Sequence, residues 1–144
     1  MRDLVEPIDR WLAEGLPVAL ATVTNTWGSA PRGVGATMAV ALGSRVAGSV
    51  SGGCVEAAVV DTALATLAAG GVQRMDLGVS DETAWSIGLA CGGRIGVVVA
   101  GLDPHTWAEL REVLAVPEPV AVALIVDGPW AYVFGSSLRI FDLR

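Results

Sequence analysis

The sequence predicts an α/β fold of α+β character, in which about three helices flank a single mixed β-sheet. Short β-branched or alternating segments interleave with longer segments of helical periodicity, and turns rich in glycine or proline separate them. Two of the strand segments are joined by a tight turn, which is typical of a hairpin. Because 144 residues correspond to one domain, residues 1–144 are expected to form a single unit.

Helical periodicity and stop signals predict the helices. In the first, apolar side chains recur at helical spacing and Gly15 ends the pattern. The second is apolar on nearly every side, so it is expected to be buried on most sides. The third opens with Asp103-Pro104, an N-cap followed by a proline suited to the first turn. The helices are expected at residues 3–14, 54–69 and 103–114, with a further helical turn at 80–85.

Apolar or alternating segments between the helices predict the strands. Gly43-Ser44 marks the turn of a β-hairpin, and residues 25–35 and 87–93 are expected to be loops. The strands are expected at residues 17–24, 37–42, 45–50, 72–77, 94–100, 120–126, 130–134 and 138–141.

Charge and composition exclude several classes of function. A net charge of −6 argues against nucleic acid as a partner, because binding phosphate backbones needs a basic face. All nine basic residues are arginine, which excludes a Schiff-base lysine and a P-loop lysine. The charged N-terminal residues do not predict a signal peptide and no run of about 18 apolar residues occurs, so no membrane span and no membrane partner are expected. With two cysteines, the chain is expected in the cytoplasm, and its 53% hydrophobic content suits a partner or a homodimer.

The first candidate site is the turn Ser51-Gly52-Gly53-Cys54-Val55-Glu56, where a strand leads into a helix. Such a turn presents backbone N–H groups and the positive end of the helix dipole, which suit an anion such as a phosphate. Cys54 would lie in the first helical turn, where the dipole favours the thiolate. A tight turn with a small buried cysteine explains these residues equally well, and the spacing does not match the dinucleotide fingerprint G-x-G-x-x-G.

Two further segments carry candidate ligand-binding groups. Cys91-Gly92-Gly93 places a thiol and flexible backbone before a strand, although an ordinary turn has the same composition. In the loop after the first strand, Ser29 offers a hydroxyl and Arg32 a fork-shaped donor for a phosphate or pterin oxygen, although most loop arginines are merely solvated. The two cysteines and His105 lack zinc-site spacing, so no metal site is expected. No Ser-His-Asp set occurs, and no catalytic residue is predicted.

Together these segments resemble the xanthine dehydrogenase accessory (XdhC/CoxI) family. The matching blocks follow the family's order across roughly residues 15–101. They are Ala21-Thr22-Val23, Gly28-Ser29-Ala30-Pro31-Arg32, Gly35-Ala36-Thr37-Met38, Gly48-Ser49-Val50-Ser51-Gly52-Gly53-Cys54-Val55-Glu56, Trp85, Gly88-Leu89 and Cys91-Gly92-Gly93.

The resemblance implies an accessory factor that binds molybdenum cofactor (molybdopterin) as cargo and assists its sulfuration. The client would be a xanthine dehydrogenase or a related molybdenum hydroxylase that oxidises carbon monoxide or aldehydes, and a cysteine desulfurase is a further expected partner. Family members often continue into a second, Rossmann-like domain, which is not expected within residues 1–144. Three explanations stay open: that domain is a separate polypeptide, the chain is a truncated form, or the short form works as a partner subunit. The implied cofactor-binding residues are Ser29, Arg32, Ser51, Gly52, Gly53, Cys54, Glu56, Cys91, Gly92 and Gly93.

Three other functions remain open at this point. In the first, the protein is a sulfur-transfer enzyme that carries a persulfide on Cys54. In the second, Cys54 and Cys91 form a thiol–disulfide switch, which requires their Cα atoms to lie within about 7 Å. In the third, the protein is a docking scaffold that binds the client enzyme and no cofactor.

Overall fold

The computed structural model describes residues 1–28, 30–78 and 93–118, together with the backbone of three strands between residues 121 and 141. In these residues a 3-10 helix, Arg2–Leu4, precedes three α-helices and eight strands. The helices are α1 (Val5–Ala13), α2 (Glu56–Ala69) and α3 (Pro104–Ala115). The strands are β1 (Val18–Trp27), β2 (Thr37–Ala41), β3 (Arg45–Gly48), β4 (Val72–Gly78), β5 (Arg94–Leu102), β6 (Ala121–Leu124), β7 (Ala131–Phe134) and β8 (Arg139–Phe141).

The predicted α+β fold, with a sheet flanked by three helices, is confirmed. Five strands form one sheet in the order β3-β2-β1-β5-β4, and every pairing among the described strands is antiparallel. The connection from β3 through α2 to β4 spans the whole sheet, so these two strands of like direction lie at opposite edges. The last three strands, expected in the same sheet, pair with one another in the order β6-β7-β8.

Strand β1 extends three residues beyond its predicted end, into the segment expected to be a loop. The extension pairs with the start of β5, where Trp27 lies opposite Arg94 and Asn25 lies opposite Gly96. The register shifts between Val23 and Asn25, and the missing side chain of Gly96 leaves room for the amide of Asn25. Tertiary pairing thus overrides the polar composition of this segment.

Helix α2 packs across one face of the five-stranded sheet. It buries Val59, Ala63 and Thr66 against a cluster that includes Met38 and Val99. Its other side is exposed and consists mostly of alanine, so the helix is buried along one side only, against the expectation from its composition. In the described part of the chain, none of the helices has both the length and the apolar character needed to cross a membrane.

The opposite face of the sheet is covered at one end by α1 and α3. Ile8 and Trp11 of α1 pack with Leu110 and Leu114 of α3 against the sheet. Asp103 caps α3 as predicted, because its carboxylate accepts a hydrogen bond from the Thr106 N–H at 2.8 Å. The domain therefore has three layers, and the sheet between them positions the loops of the candidate site.

Candidate functional site

The predicted site segments meet at one end of the five-stranded sheet, which we call the motif end. Because neighbouring strands are antiparallel, β1, β3 and β4 finish at this end, and β2 and β5 begin there. The loop after β1, the loop after β3 and the residue before β5 therefore lie along one row of strand ends. The ends of β3 and β5 are three strand spacings apart in the sheet order, or about 14 Å.

The centre of the loop after β3 is the carboxylate of Glu56, the first residue of α2. Its Oε1 accepts hydrogen bonds from the Ser49 hydroxyl at 2.6 Å and from the N–H groups of Ser51 and Gly52 at 2.9 and 3.0 Å. Its Oε2 accepts from the Ser51 hydroxyl at 2.6 Å and from the N–H groups of Gly53 and Val55 at 2.9 and 3.2 Å. The loop thus forms an anion-binding nest that the protein's own carboxylate fills.

The glycines and serines of this loop make the nest possible. Gly52 and Gly53 adopt φ angles of 89° and 125°, which direct successive N–H groups toward one point and which side chains rarely permit. The Ser49 hydroxyl also accepts the Gly52 N–H at 2.8 Å, and the Ser51 hydroxyl also accepts the Cys54 N–H at 3.0 Å. Each serine therefore joins Glu56 to the backbone, and the loop is held from both sides.

This arrangement keeps Glu56 ionised. Partial burial raises the pKa of the carboxyl group, but the hydrogen bonds from Ser49 and Ser51 lower it by more. The net pKa lies well below its usual value near 4.5. The negative charge is therefore present throughout the neutral and mildly acidic range, next to the positive end of α2.

Cys54 lies at the exposed part of the same loop, as a free thiol one residue before the N-cap of α2, and the prediction that it lies in the first helical turn is wrong. The alternative in which this cysteine is a small buried residue is therefore wrong. The N–H groups expected to be available for an external anion already donate to Glu56, so an anion would have to displace that carboxylate. What the loop presents to solvent is the thiol on a backbone constrained by hydrogen bonds.

The loop that carries Arg32 lies directly beside the Cys54 loop. A Cβ placed on Gly52 would lie 3.9 Å from the Cβ of Pro31. Arg32 is exposed and lies close enough to Asp3 to act on it. The pKa of Asp3 is lowered chiefly by a hydrogen bond from the N-terminal ammonium, and the Arg32 guanidinium adds a weaker attraction. Arg32 is thus available at the motif end as a solvent-facing cation.

The remaining predicted residues are described only in part. Ser29, Cys91 and Gly92 lie outside the described residues. Gly93 immediately precedes β5 and is half-buried at the motif end. The structure therefore brings Arg32, Gly93 and the Ser51–Glu56 turn to the same end of the sheet.

Two residues of the motif end were not among the predicted site residues. Ser49 completes the nest around Glu56. The signal that could have identified it is the pattern of two serines, Ser49 and Ser51, before the Gly-Gly turn and a glutamate after it. Trp27 lies in the segment predicted to be a loop, but the structure places it at the last position of β1, where its side chain is 50% exposed. An exposed aromatic side chain beside a loop is a common ligand or partner contact.

An open cavity of about 260 Å³ is lined by residues of three neighbouring strands, β1, β5 and β4, and its lining includes no residue of the Cys54 loop. Its polar lining includes Thr24, Asn25, Arg74 and Asp76. The Thr24 hydroxyl lies 2.8 Å from the Asn25 side-chain oxygen and 3.2 Å from the Gly96 carbonyl oxygen, and its one proton serves these two acceptors in the cavity wall. None of these residues was predicted to belong to a site.

Comparison with known proteins agrees with the motifs. Residues 11–78 match the XdhC and CoxI family. This segment belongs to the XdhC and CoxI family. It includes β1 to β4, α2, the Arg32 loop and the Cys54 loop. The family resemblance predicted from the motif blocks is thereby confirmed.

A curated relative and a solved structure extend the comparison. The chain is 39% identical over 106 residues to the molybdenum cofactor insertion chaperone PaoD of Escherichia coli (strain K12). The matched segment covers 73% of this chain and 31% of PaoD. The chain thus spans about a third of the length of this relative. A xanthine dehydrogenase from Bacillus halodurans is similar with a TM-score of 0.73 at 21% identity, over 97% of this chain and 44% of that one. At this identity the likeness concerns the fold alone.

Proposed function

We propose that this XdhC/CoxI protein is an accessory factor that binds molybdenum cofactor as cargo and assists its sulfuration and insertion into a molybdenum hydroxylase. The observation that carries the proposal is the similarity to a protein named as a molybdenum cofactor insertion chaperone. The family match at residues 11–78 covers the two adjacent, exposed loops that carry Cys54 and Arg32. The client would be a xanthine dehydrogenase or a related enzyme, with a cysteine desulfurase as the source of sulfur.

The chemistry of the exposed groups suits this cargo. When bound, the cofactor would supply a phosphate, a hydrogen-bonding pterin and a soft sulfur-ligated metal. The Arg32 guanidinium would hold an anionic oxygen, and the Cys54 thiol would face the soft centre. Glu56 would act on the cargo through Cys54, because both of its oxygens hold the loop on which the thiol is presented. Ser51, Gly52 and Gly53 would then shape the loop, and Cys91, Gly92 and Ser29 remain predicted ligands.

Equilibrium binding of anaerobically prepared molybdenum cofactor tests the proposal. We expect saturable binding near one equivalent by the wild-type chain. Cys54→Ser, Cys91→Ser and Arg32→Ala should each weaken it by about tenfold or more, the effect of losing one charge-assisted contact. A second titration should include a Rossmann-like partner, since family members often carry such a domain and it would complete the site.

Matched controls distinguish loss of the site from loss of the fold. Arg45→Ala removes an arginine at the opposite end of β3, and Ala68→Ser places a hydroxyl at the far end of α2. Both should bind like wild type. Absence of binding both with and without the Rossmann-like partner would contradict the proposal and favour a scaffold that docks on the client alone.

The exposure of Cys54 also favours a second candidate function, in which this cysteine carries a persulfide and transfers its terminal sulfur to the cofactor. In that case Cys54→Ser should abolish sulfur transfer while cofactor binding persists. A Cys54→Ser protein that still supports sulfur transfer would refute this candidate. The thiol–disulfide switch remains a prediction, because Cys91 lies outside the described residues.

A further inference from the structure

Strand β4 forms one edge of the five-stranded sheet. It is seven residues long and pairs with β5. Val72 is 46% exposed, and Gln73, Arg74 and Asp76 are exposed as well. The opposite edge strand, β3, has only four residues. A long exposed edge strand is the part of a sheet best suited to pair with another strand.

The hydrogen-bond pattern determines which residues of β4 face outward. Val23 exchanges backbone bonds with the chain before β2, since its N–H donates to the Ala36 carbonyl and its carbonyl accepts the Gly35 N–H. Along a strand, the backbone groups of successive residues point alternately to the two neighbouring strands, so those of Thr22 point to β5. Val98 lies opposite Thr22 and bonds to it, so the backbone groups of the next residue, Val97, point to β4. In β4 the backbone groups of Met75 then face β5. Those of residues 72, 74, 76 and 78 face away from the sheet.

The charges on β4 are complementary to a second copy of the same strand. In an antiparallel pair centred on Met75, Arg74 of each copy lies opposite Asp76 of the other, and all seven residues overlap. Opposite charges at facing positions stabilise a strand pair, whereas like charges destabilise it. Shifting the centre to Arg74 or to Asp76 places two like charges opposite each other and shortens the overlap. One register is therefore favoured by both charge and length.

We propose that β4 pairs with β4 of a second copy of this chain, in the register centred on Met75, to form a homodimer with a continuous ten-stranded sheet. The twofold axis of such a pair is perpendicular to the sheet. Helix α2 of each copy then lies on the same face, and the two motif ends lie at opposite ends of the dimer. Both Cys54 loops remain accessible, and the dimer forms independently of any cargo.

Charge reversal with rescue tests the dimer. Sedimentation of the wild-type chain should show a dimer at roughly 100 µM. Arg74→Asp and Asp76→Arg should each raise the dimer dissociation constant by about tenfold or more, because each places like charges opposite each other twice. The double variant Arg74→Asp/Asp76→Arg restores opposite charges and should regain the wild-type constant. Asp61→Arg on the exposed side of α2 makes the same charge change as Asp76→Arg and should leave the constant unchanged.

Cross-linking tests the register. In the proposed pair the two Met75 Cα atoms face each other at about 4.5 Å, within the range of a disulfide. Met75→Cys, in a Cys54→Ser/Cys91→Ser background, should form a covalent dimer on oxidation. Gln73→Cys/Leu77→Cys is a second variant that should cross-link in the same register. A wild-type monomer at this concentration, or a dimer that neither charge reversal nor these cysteines affect, would overturn the proposal.

Discussion

At the scale of single residues, Glu56 defines the candidate site. Its carboxylate accepts six hydrogen bonds from five residues of the loop, and far fewer are enough to hold a carboxyl group in its charged form. From the sequence, the glycines and the adjoining helix predict an anion-binding turn and a purely structural tight turn equally well. The sequence does not indicate that the anion is the protein's own carboxylate, because a serine-glycine turn has the same composition whether it binds an external anion or Glu56.

Replacing Glu56 with glutamine should destabilise the domain. The amide nitrogen of glutamine cannot accept the hydrogen bonds that one carboxylate oxygen now accepts from the loop. We therefore expect a loss of about 1–3 kcal/mol in the free energy of unfolding at pH 7. Urea unfolding measures this value. Asp61→Asn makes the same chemical change on the exposed side of α2 and should stay within about 0.5 kcal/mol of wild type.

The difference in stability between the wild-type protein and Glu56→Gln should depend on pH. The pKa of Glu56 is lowered in the folded state, so its stabilisation is fully present above its usual pKa near 4.5 and decreases as the pH falls below that value. Glutamine does not titrate. The difference in stability between wild type and Glu56→Gln should therefore shrink as the pH falls from about 5 toward about 2. A constant difference across that range would contradict the hydrogen-bonded carboxylate.

At the scale of elements, the hairpin of β2 and β3 connects the core to the site. Gly48 ends β3 with a φ of 75°, and a Cβ there would lie 2.5 Å from the Thr37 carbonyl oxygen and 2.9 Å from a Leu4 methyl. The hairpin itself was predicted from its turn. The close approach at Gly48 could not be predicted, because it depends on where the paired strand places Thr37 and where the 3-10 helix places Leu4.

Gly48→Ala should therefore destabilise the domain by about 2–5 kcal/mol, through a left-handed backbone and a clash with backbone atoms. Gly43→Ala is the matched control, since Gly43 has a φ of 76° but a Cβ placed on it would meet none of the described residues within 4 Å. It should cost only about 1–2 kcal/mol. Thermal or urea unfolding compares the two, and equal losses would show that the contact with Thr37 is unimportant.

At the scale of the whole molecule, side-chain contacts hold the first and last described helices together. Asp9 of α1 accepts hydrogen bonds from the Trp107 indole at 2.8 Å and from Arg111 at 2.6 Å, both in α3. Arg2 donates to the carbonyls of Leu114, Val116 and Glu118 at and after the end of α3. These contacts join segments about a hundred residues apart and close the layer opposite α2.

Asp9→Ala should cost about 1–3 kcal/mol in the free energy of unfolding, because the nearly buried Trp107 indole loses its acceptor. Trp107→Phe combined with Asp9→Ala should cost less than the sum of the two single changes. Urea unfolding of the four proteins gives the coupling energy. Strict additivity would mean that the indole contact contributes nothing.

The sequence by itself determined most of the helices and strands, the family and the candidates for the site, because periodicity, turn chemistry and local motifs depend on neighbours in the chain. It indicated where Gly52-Gly53 turns and where Asp103 caps α3. The tertiary structure decided that β1 extends to Trp27, that α2 is buried on one side only, and that Glu56 fills the loop beside Cys54. Each of these depends on strand pairing or on the direction of hydrogen bonds in three dimensions, which no local pattern in the chain specifies.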